Sequence, residues 1–394
     1  MTTGGHPDVA VIGAGIVGVS IAAHLAAAGA RVTVHEGTSI GAGASGRNSG
    51  IVQHPFDPDL VPFHLETLEL YRRLALERPE SFVLPTEPSG LLAVAHDTEV
   101  VRRLATGLAA SHPQLEPRFL APGEATRLEP LVDPSIAACR IAIGYPVAPA
   151  AATVACAAEA GALGAVFEVG MPARPWFRGG RLAGVTVAGR ERPAGAVVVA
   201  AGPSSPALVD SSGAWRPIRP VWGAVVDIAI ADPPRHVLEQ AALDIEPGGT
   251  LEVETERTPR TGEGLAPGEL AFSLVPAGAT SALGSTFLPF EPDPGAMVPL
   301  LVDHGSRFVP AIASARIGAS RACARPQSFD GRPLLGRVPG IDGLWIAAGH
   351  GPWGISTGPA GGRLVADLVL GRVAAPPPGF DPARFSPPLS VRVR

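Results

Sequence analysis

VAVIGAGIVGVSIAAHLAAAGARVTVHEG, residues 9–37, is the stretch that decides how the N-terminal part of this 394-residue chain folds. Val9–Ile12 is wholly apolar, as buried parallel strands are. Residues 16–28 are predicted to form a helix whose many alanines allow close packing on a sheet, and Gly29 ends it. Residues 31–35 form a second strand. The stretch therefore predicts a strand, a tight turn, a helix and a second strand.

The turn carries a glycine pattern with a specific use. Gly13, Gly15 and Gly18 give the spacing Gly-x-Gly-x-x-Gly, and Glu36 follows Gly13 by 23 positions, close to the spacing of about 20 in dinucleotide-binding units. The first glycine permits the turn, the second lets the backbone approach a pyrophosphate, and the third lets the helix meet the strand. The carboxylate of Glu36 would accept hydrogen bonds from an adenosine ribose. Between two strands, this pattern predicts a dinucleotide site.

Two other interpretations of the same stretch fail. A membrane-spanning helix needs about 20 consecutive apolar residues, and a signal peptide needs a basic leader before its apolar core. Here glycines interrupt the run, and no Lys or Arg precedes Val9. We therefore expect no transmembrane segment and no secretory leader.

Composition narrows the function classes further. A net charge of −5 offers no basic surface for nucleic acid. Cys139, Cys156 and Cys323 are irregularly spaced, which predicts neither a disulfide framework nor a metal site and fits a reducing, cytoplasmic location. All 31 basic residues are Arg, so a lysine Schiff base and a Walker-type phosphate loop are excluded. Any anion site must use Arg, backbone N–H groups or helix ends.

Beyond residue 37 the chain alternates helical and strand patterns. The predicted elements are a loop of small residues at 41–50, helices at 62–78 and 99–108, a hairpin and strand at 181–202, an antiparallel sheet at 217–310, and a strand at 344–348 followed by a glycine loop and a helix. The Pro-rich residues 374–389 are predicted to form an extended strap.

This discontinuous order predicts an α/β fold with two domains. A Rossmann-like nucleotide-binding domain takes residues 1–80, 146–216 and 319–394. An inserted α+β domain with a mostly antiparallel sheet takes residues 81–145 and 217–318, and we expect it to bind the substrate.

Four later motifs resemble one family across nearly the whole chain. They are GASGRNSG at 43–50, VVVAAG at 197–202, ARPQSFDGRPLLG at 324–336 and GLWIAAGHGPWGISTGP at 343–359. In this order they resemble the D-amino acid oxidase family of FAD-dependent amine and amino acid oxidoreductases, which includes glycine oxidase, sarcosine oxidase and D-amino acid dehydrogenase. The segment GHGPWG resembles the dehydrogenase branch most.

The resemblance implies FAD as the cofactor and assigns residues to it. Gly13, Gly15 and Gly18 would hold the pyrophosphate, and Glu36 the ribose. The other implied contacts are Ser45, Arg47, Asn48, Ser49 and Gly50 along the pyrophosphate and flavin ring, Ala201 and Gly202 beneath the cofactor, and Gly349, His350, Gly351, Gly354 and Ile355 on the pyrimidine side of the flavin. On that side backbone N–H groups and a helix N-terminus would stabilise negative charge.

Two residues at the third motif, Cys323 just before it and Arg325 within it, bear on the chemistry. Arg325 matches the arginine that clamps the substrate carboxylate in relatives, and a guanidinium suits this because bidentate contact fixes the α-carbon over the flavin. Cys323 lies where sarcosine-oxidase relatives attach FAD through a thioether. A small buried thiol is the interpretation we favour for it, since free cysteines commonly pack as apolar residues.

The resemblance implies oxidation of the C–N bond of a small amino acid or secondary amine that carries a carboxylate. Hydride would pass to flavin N5, leaving an imine that hydrolyses, and a neutral amine needs no strong base. The implied electron acceptor is oxygen or a quinone or other electron carrier. The absence of Lys removes the cation that activates oxygen in sarcosine-oxidase relatives, which favours a dehydrogenase or an oxidase that uses another positive group. No tyrosine lies between residues 217 and 310, so Trp222 and Arg219 are candidates to shape the pocket.

Two alternatives stay open. One is an FAD-dependent 2-hydroxyacid dehydrogenase in which His54 or His350 is the general base, because histidine has a suitable pKa range. The other is a flavin-binding subunit that works only within a hetero-oligomeric dehydrogenase. A protein that binds only NAD would leave the later motifs without a role.

Overall fold

The computed structural model describes residues 8–241, 265–266 and 268–385. The strands in this part are β1 Val9–Ile12, β2 Val32–Glu36, β3 Ile51–Val52, β4 Leu91–Ala95, β5 Arg118–Leu120, β6 Ala137–Ile141, β7 Tyr145–Pro146, β8 Val166–Val169, β9 Ala173–Arg178, β10 Arg181–Val187, β11 Arg190–Pro193, β12 Ala196–Val199, β13 Ile218–Ala229, β14 Val237–Gln240, β15 Leu270–Ala277, β16 Thr280–Thr286, β17 Arg316–Ser328, β18 Leu334–Arg337 and β19 Leu344–Ala348. The helices are α1 Ile16–Ala27, α2 Ala44–Arg47, α3 Val61–Glu77, α4 Thr98–Ser111, α5 Pro122–Leu128, α6 Ala151–Ala162, α7 Ser205–Val209, α8 Pro294–Ser306 and α9 Gly354–Val369.

A six-stranded sheet forms the first layer, in the order β18-β19-β12-β1-β2-β8. Its strands are parallel except β18, which runs antiparallel to β19. All four residues of Val9–Ile12 are buried at its centre, and α1 is buried along most of its length. The predicted strand–helix–strand unit and the α/β fold class are therefore confirmed, with the second strand extended to include Glu36.

The glycine turn brings α1 unusually close to β1. Gly13 has φ of +109°, a conformation that L side chains rarely adopt, and its N–H donates to the carbonyl of His35. A Cβ atom on Gly18 would overlap the carbonyl oxygen of Gly13. The third glycine of the motif is therefore required by helix–strand packing, as the spacing predicted.

An eight-stranded sheet forms the second layer, in the order β17-β13-β16-β15-β14-β4-β6-β5. Neighbouring strands are antiparallel except β14 and β4. The long pair β13–β17 forms one edge, and apolar clusters cover both faces of the sheet.

This sheet changes two sequence-based expectations. Residues 294–306 were expected to belong to an antiparallel sheet, but they form α8, which begins at Pro294 with Asp293 as its N-cap. Proline and glycine indicate turns in this part of the sequence, whereas Pro294 occupies the first helical turn, where proline fits. Residues 316–328 lie in this sheet, although the predicted boundary was 318/319, so we propose to extend the substrate domain to 328. Residues 242–264 and 267 of the expected sheet lie outside the described part.

Helix α9 contains Pro359, which cannot donate the hydrogen bond that the carbonyl of Ile355 would otherwise accept. The hydroxyl of Tyr71, on α3, donates to that carbonyl at 2.9 Å. Tyr71 is buried, and its pKa is raised well above the ordinary value because burial disfavours the charged phenolate. The contact fixes the first turn of α9 against α3.

Part of the predicted strap is also described. It is not extended throughout, since Pro378–Phe380 and Pro382–Arg384 form short 3₁₀ turns. Phe380 is buried against Phe63, with ring centroids 4.8 Å apart, and residues 386–389 lie outside the described part. Among the described residues, no helix combines the length and apolarity that crossing a membrane requires.

Candidate functional site

A cavity of about 1290 Å³ runs between the two layers. One side is the carboxyl edge of the parallel sheet, where α/β folds bind ligands; the other is the face of the eight-stranded sheet. Its lining includes these residues from the sequence-based set: Gly13, Gly15, Glu36, Ser45, Arg47, Asn48, Ser49, Ala201, Gly202, Cys323, Arg325, His350, Gly351, Gly354 and Ile355. Gly18, Gly50, Gly349 and His54 do not line it.

The nucleotide end of the cavity is organised around Glu36, at the end of β2. One carboxylate oxygen accepts from the backbone N–H of Ala14 at 2.9 Å. The other accepts from the backbone N–H and the hydroxyl of Thr38 at 2.9 and 3.0 Å. These contacts fix the carboxylate where the turn meets the strand, and an ionised carboxylate can accept further hydrogen bonds from a ribose.

The N-terminus of α1 faces the same space and supplies the positive end of a helix dipole. The first turn contains no acidic residue, and the hydroxyl oxygen of Ser45 accepts from the backbone N–H of Ile16 at 3.0 Å. Asn48 holds its own loop, since its amide donates to the carbonyls of Ala44 and Ser45 and its oxygen accepts from the N–H of Gly50. The helix terminus and this loop together fit a pyrophosphate.

One cation joins the two layers beside this loop. Arg321, on β17, donates to the backbone carbonyls of Arg47 and Asn48 at 3.3 and 3.1 Å, and it pairs with Asp227 of β13 at 2.6 Å. The loop at residues 44–50 is thereby tied to the edge of the eight-stranded sheet.

Arg325 lies four residues further along β17 and extends over β13. Its guanidinium donates to the carbonyl of Thr286 at 2.9 Å and to the hydroxyl of Ser285 at 2.6 Å, with its centre 4.6 Å from the ring centroid of Phe287. A Cβ atom on Gly223 would lie 2.5 Å from the guanidinium nitrogens, so only glycine leaves room for this placement.

The electrostatics of Arg325 favour an anion. Burial lowers its pKa, but an arginine stays charged, and among the described residues no carboxylate pairs with it. Its hydrogen-bond partners there are neutral oxygens. A buried charge is stable only when it is compensated, so the arrangement suits a carboxylate brought by a ligand.

Cys323 lines the cavity on the same strand and is 6% exposed. Its Sγ lies 3.8 Å from the carbonyl oxygen of Arg47, and burial raises the pKa of the thiol despite nearby arginines. The protonated thiol is a poor nucleophile. A packed thiol therefore remains the interpretation we favour over a thioether to FAD.

Neither candidate histidine is placed as a general base. His54 lies outside the cavity, buried among His64, His112 and Phe56, with its ring centroid 5.4 Å from that of His64. The Nε2 atom of His350 lies 3.0 Å from the Cβ position of Gly361, inside α9, and burial lowers its pKa to about 4. These positions argue against a general-base role for either histidine. The sequence motifs gave no warning, since a motif does not specify where a side-chain ring points.

Several lining residues escaped the sequence-based reasoning. The cavity is lined by Trp222, a sequence-based candidate, and also by residues that the sequence motifs do not indicate: Gln53, Glu239, Phe287 and Gly223. The one available signal was in β14, VLEQ, where two polar residues end an apolar strand.

A parallel sheet with a glycine turn and a terminal acid lies against a second sheet that carries a cavity-lining arginine, an arrangement that fits a dinucleotide-dependent oxidoreductase. The family model described as "FAD dependent oxidoreductase" matches residues 8–368, and the chain belongs to this family. This match confirms the resemblance to the D-amino acid oxidase family, FAD as the cofactor and the assignment as an enzyme.

Two curated relatives and one solved structure illustrate the similarity. Glycine oxidase of Geobacillus kaustophilus (strain HTA426) is 32% identical over 391 residues, covering 96% of this chain and 96% of the relative. The crystal structure of glycine oxidase from Geobacillus kaustophilus has a TM-score of 0.76 at 26% identity, covering 99% of this chain and 100% of that one. A D-amino acid dehydrogenase of Cereibacter sphaeroides (strain ATCC 17023) is 31% identical over 195 residues, covering 49% of this chain and 39% of the relative.

Proposed function

We propose that this enzyme oxidises the C–N bond of an amino acid or secondary amine that carries a carboxylate, with Arg325 as the carboxylate anchor. The observation that carries the proposal is a cavity-facing guanidinium whose partners among the described residues are neutral oxygens. The full-length similarity to glycine oxidase supports the same substrate class.

The chain's own contribution is orientation and charge compensation. Arg325 would fix the substrate carboxylate, and the apolar walls at Trp222 and Phe287 would exclude water from the reacting carbon. Bound FAD supplies the two-electron acceptor for a hydride. Since His54 and His350 are not placed as bases, we propose that the substrate reacts as its neutral amine.

The remaining assignments follow from this proposal. The sequence-based cofactor contacts that line the cavity would hold FAD along it, with Glu36 at the ribose and the N-terminus of α1 at the pyrophosphate. Oxygen, a quinone or another carrier would reoxidise the flavin, and a cytoplasmic location stays a prediction. The geometry gives no support to 2-hydroxyacid chemistry that depends on a histidine base.

The test is anaerobic bleaching of the flavin by a panel of D- and L-amino acids and N-methyl amino acids. Arg325→Met removes the anchor, and Arg316→Met, an exposed arginine on the same strand, is the matched control. Losing one partner of a buried charged contact costs about 2–5 kcal/mol, so kcat/KM for flavin reduction falls by about 30- to 5000-fold in Arg325→Met. Unchanged reduction in that variant would contradict the anchor.

Failure of the whole panel would contradict amine oxidation. Bleaching by 2-hydroxyacids instead would favour the dehydrogenase alternative. Bleaching by neither class would favour a subunit that needs a partner chain.

A further inference from the structure

Glu239 is a carboxylate in the cavity that the proposed reaction does not use. It lies on β14 and lines the cavity together with Gln53. The side-chain amide of Gln53 donates to one carboxylate oxygen of Glu239 at 3.1 Å. Gln53 is itself fixed, since its backbone N–H donates to the hydroxyl of Ser356 at 2.9 Å. The carboxyl group is therefore held at a defined position in the wall.

The charge of Glu239 is uncompensated within the described part of the chain. No ion pair there involves it, and burial raises its pKa to about 7, opposed only by the hydrogen bond from Gln53. Glu129 shows the contrasting arrangement, since it is also buried but accepts from the backbone N–H groups of Arg235 and His236 and pairs with the His236 ring at 3.0 Å. A cation that entered the cavity would supply the positive charge that Glu239 lacks.

The strand registers give the spacing between Glu239 and Arg325. Glu239 is paired with Ser273 of β15, and Ser273 with Gly284 of β16. Gly284 is paired with Val225 of β13, two residues from Gly223, over which the guanidinium lies. Three interstrand steps of about 4.8 Å and two residues of about 3.3 Å separate the Cα atoms of Glu239 and Gly223 by about 16 Å.

This span exceeds what one α-amino acid head group can bridge. A glutamate side chain reaches at most about 4 Å from its Cα atom, which leaves at least about 12 Å between the two charged groups. In an α-amino acid the ammonium nitrogen lies about 2.5 Å from the carboxylate carbon. A substrate held at Arg325 would therefore need a second group, several bonds beyond its α-carbon, to contact Glu239.

We propose that Glu239, positioned by Gln53, binds a cationic group at the far end of the substrate, so that the enzyme prefers carboxylates with a distal ammonium or guanidinium, such as basic amino acids. This inference rests on the proposed function for the position of the carboxylate. The face that carries Glu239 and Gly223 is apolar beside them at Val225, which lines the cavity and is paired across β16 with β15, and this suits an aliphatic linker.

The first experiment measures binding without turnover. Isothermal titration calorimetry on the FAD-loaded protein compares 5-aminopentanoate and 6-aminohexanoate with pentanoate and hexanoate, which differ only by the terminal ammonium. We expect at least one amino compound to bind about tenfold or more tightly than its partner, because hydrogen bonds to charged groups are strong. Glu239→Gln should bring that ratio to about one. Equal affinities in the wild type, or a ratio unchanged in Glu239→Gln, would overturn the proposal.

Controls separate this proposal from the proposed function. Glu159→Gln, which neutralises a half-buried carboxylate on α6 outside the cavity, should keep the wild-type ratio. In flavin reduction, lysine or ornithine of the reactive configuration should exceed norleucine or norvaline by a similar factor, and Glu239→Gln should remove the difference. If Arg325→Met binds pentanoate normally, the carboxylate anchor fails. n-Butylammonium then tests Glu239 alone. If it binds the wild type no more tightly than it binds Glu239→Gln, the cation site is overturned.

Discussion

Replacing Gly15 by alanine places one methyl group where the cavity meets the N-terminus of α1. Gly15 has φ of −75° and ψ of 173°, an extended conformation that alanine adopts without strain. The nearest atom to the new Cβ would be the Ser45 hydroxyl oxygen at 3.1 Å. We therefore expect the free energy of unfolding of the apoprotein to change by no more than about 1 kcal/mol.

FAD binding should respond much more strongly. Gly15 lines the cavity, so the methyl group occupies space that a pyrophosphate needs to reach the backbone N–H groups. A lost charged hydrogen bond costs about 1.5–3 kcal/mol, and overpacking costs about 1–3 kcal/mol. The sum, about 2.5–6 kcal/mol, predicts a dissociation constant for FAD raised by about 70-fold or more.

Gly18→Ala is the matched comparison, since Gly18 does not line the cavity. Its Cβ would overlap the carbonyl oxygen of Gly13 and lie 3.1 Å from the carbonyl carbon, and both are backbone atoms that cannot move aside. This variant should lose about 1–3 kcal/mol or more of folding stability. Flavin fluorescence titration and thermal unfolding of the apoproteins measure the two effects. Wild-type FAD affinity in Gly15→Ala, or wild-type stability in Gly18→Ala, would refute the reasoning.

Three further predictions concern groups near the site. Burial lowers the pKa of His54 and of His64 from 6.5 to about 4. As pH drops from 6.5 to 4 the unfolded chain is protonated first, so the free energy of unfolding falls by about 3 kcal/mol for each residue. Urea unfolding at pH 7.5 and 5 checks this, and equal midpoints would contradict it. Because the pKa of the Cys323 thiol is raised, acid precipitation should release the flavin from wild type and from Cys323→Ser alike, and yellow colour kept only in the wild-type pellet would show a thioether. Tyr71→Phe should lower the free energy of unfolding by about 1–3 kcal/mol, since the carbonyl of Ile355 loses its donor; an unchanged thermal midpoint would count against that account.

The N-terminal unit could be predicted because its signals are local. Gly18 contacts Gly13 and Glu36 contacts Ala14, all within one strand–helix–strand unit, so spacing alone specifies their geometry. The identification of Arg325 depended on a motif, and its cavity-facing position requires Gly223 on another strand. That contact is about 100 residues distant in sequence and has no local signal.

The features that could not be predicted from the sequence depend on tertiary contacts. Helix α8 was missed because Pro294 and its neighbours resemble turn residues, while Asp293 and packing of Leu301 on the sheet stabilise a helix. The carboxylate of Glu239 enters the cavity only because β14 is aligned with β15 and β4, a register that no short pattern specifies. The ring of His350 points into α9 for the same kind of reason.

Strand β17 carries residues of both proposed ligand sites. Arg321 holds the loop at 44–50, and Arg325 is on the same face of the same strand, four residues away. We expect a ligand that tightens the loop to steady the guanidinium as well. Cofactor affinity and carboxylate affinity should then be thermodynamically linked, so that each ligand strengthens the other's binding by the same factor, and breaking the Arg321–Asp227 pair should weaken that cooperativity.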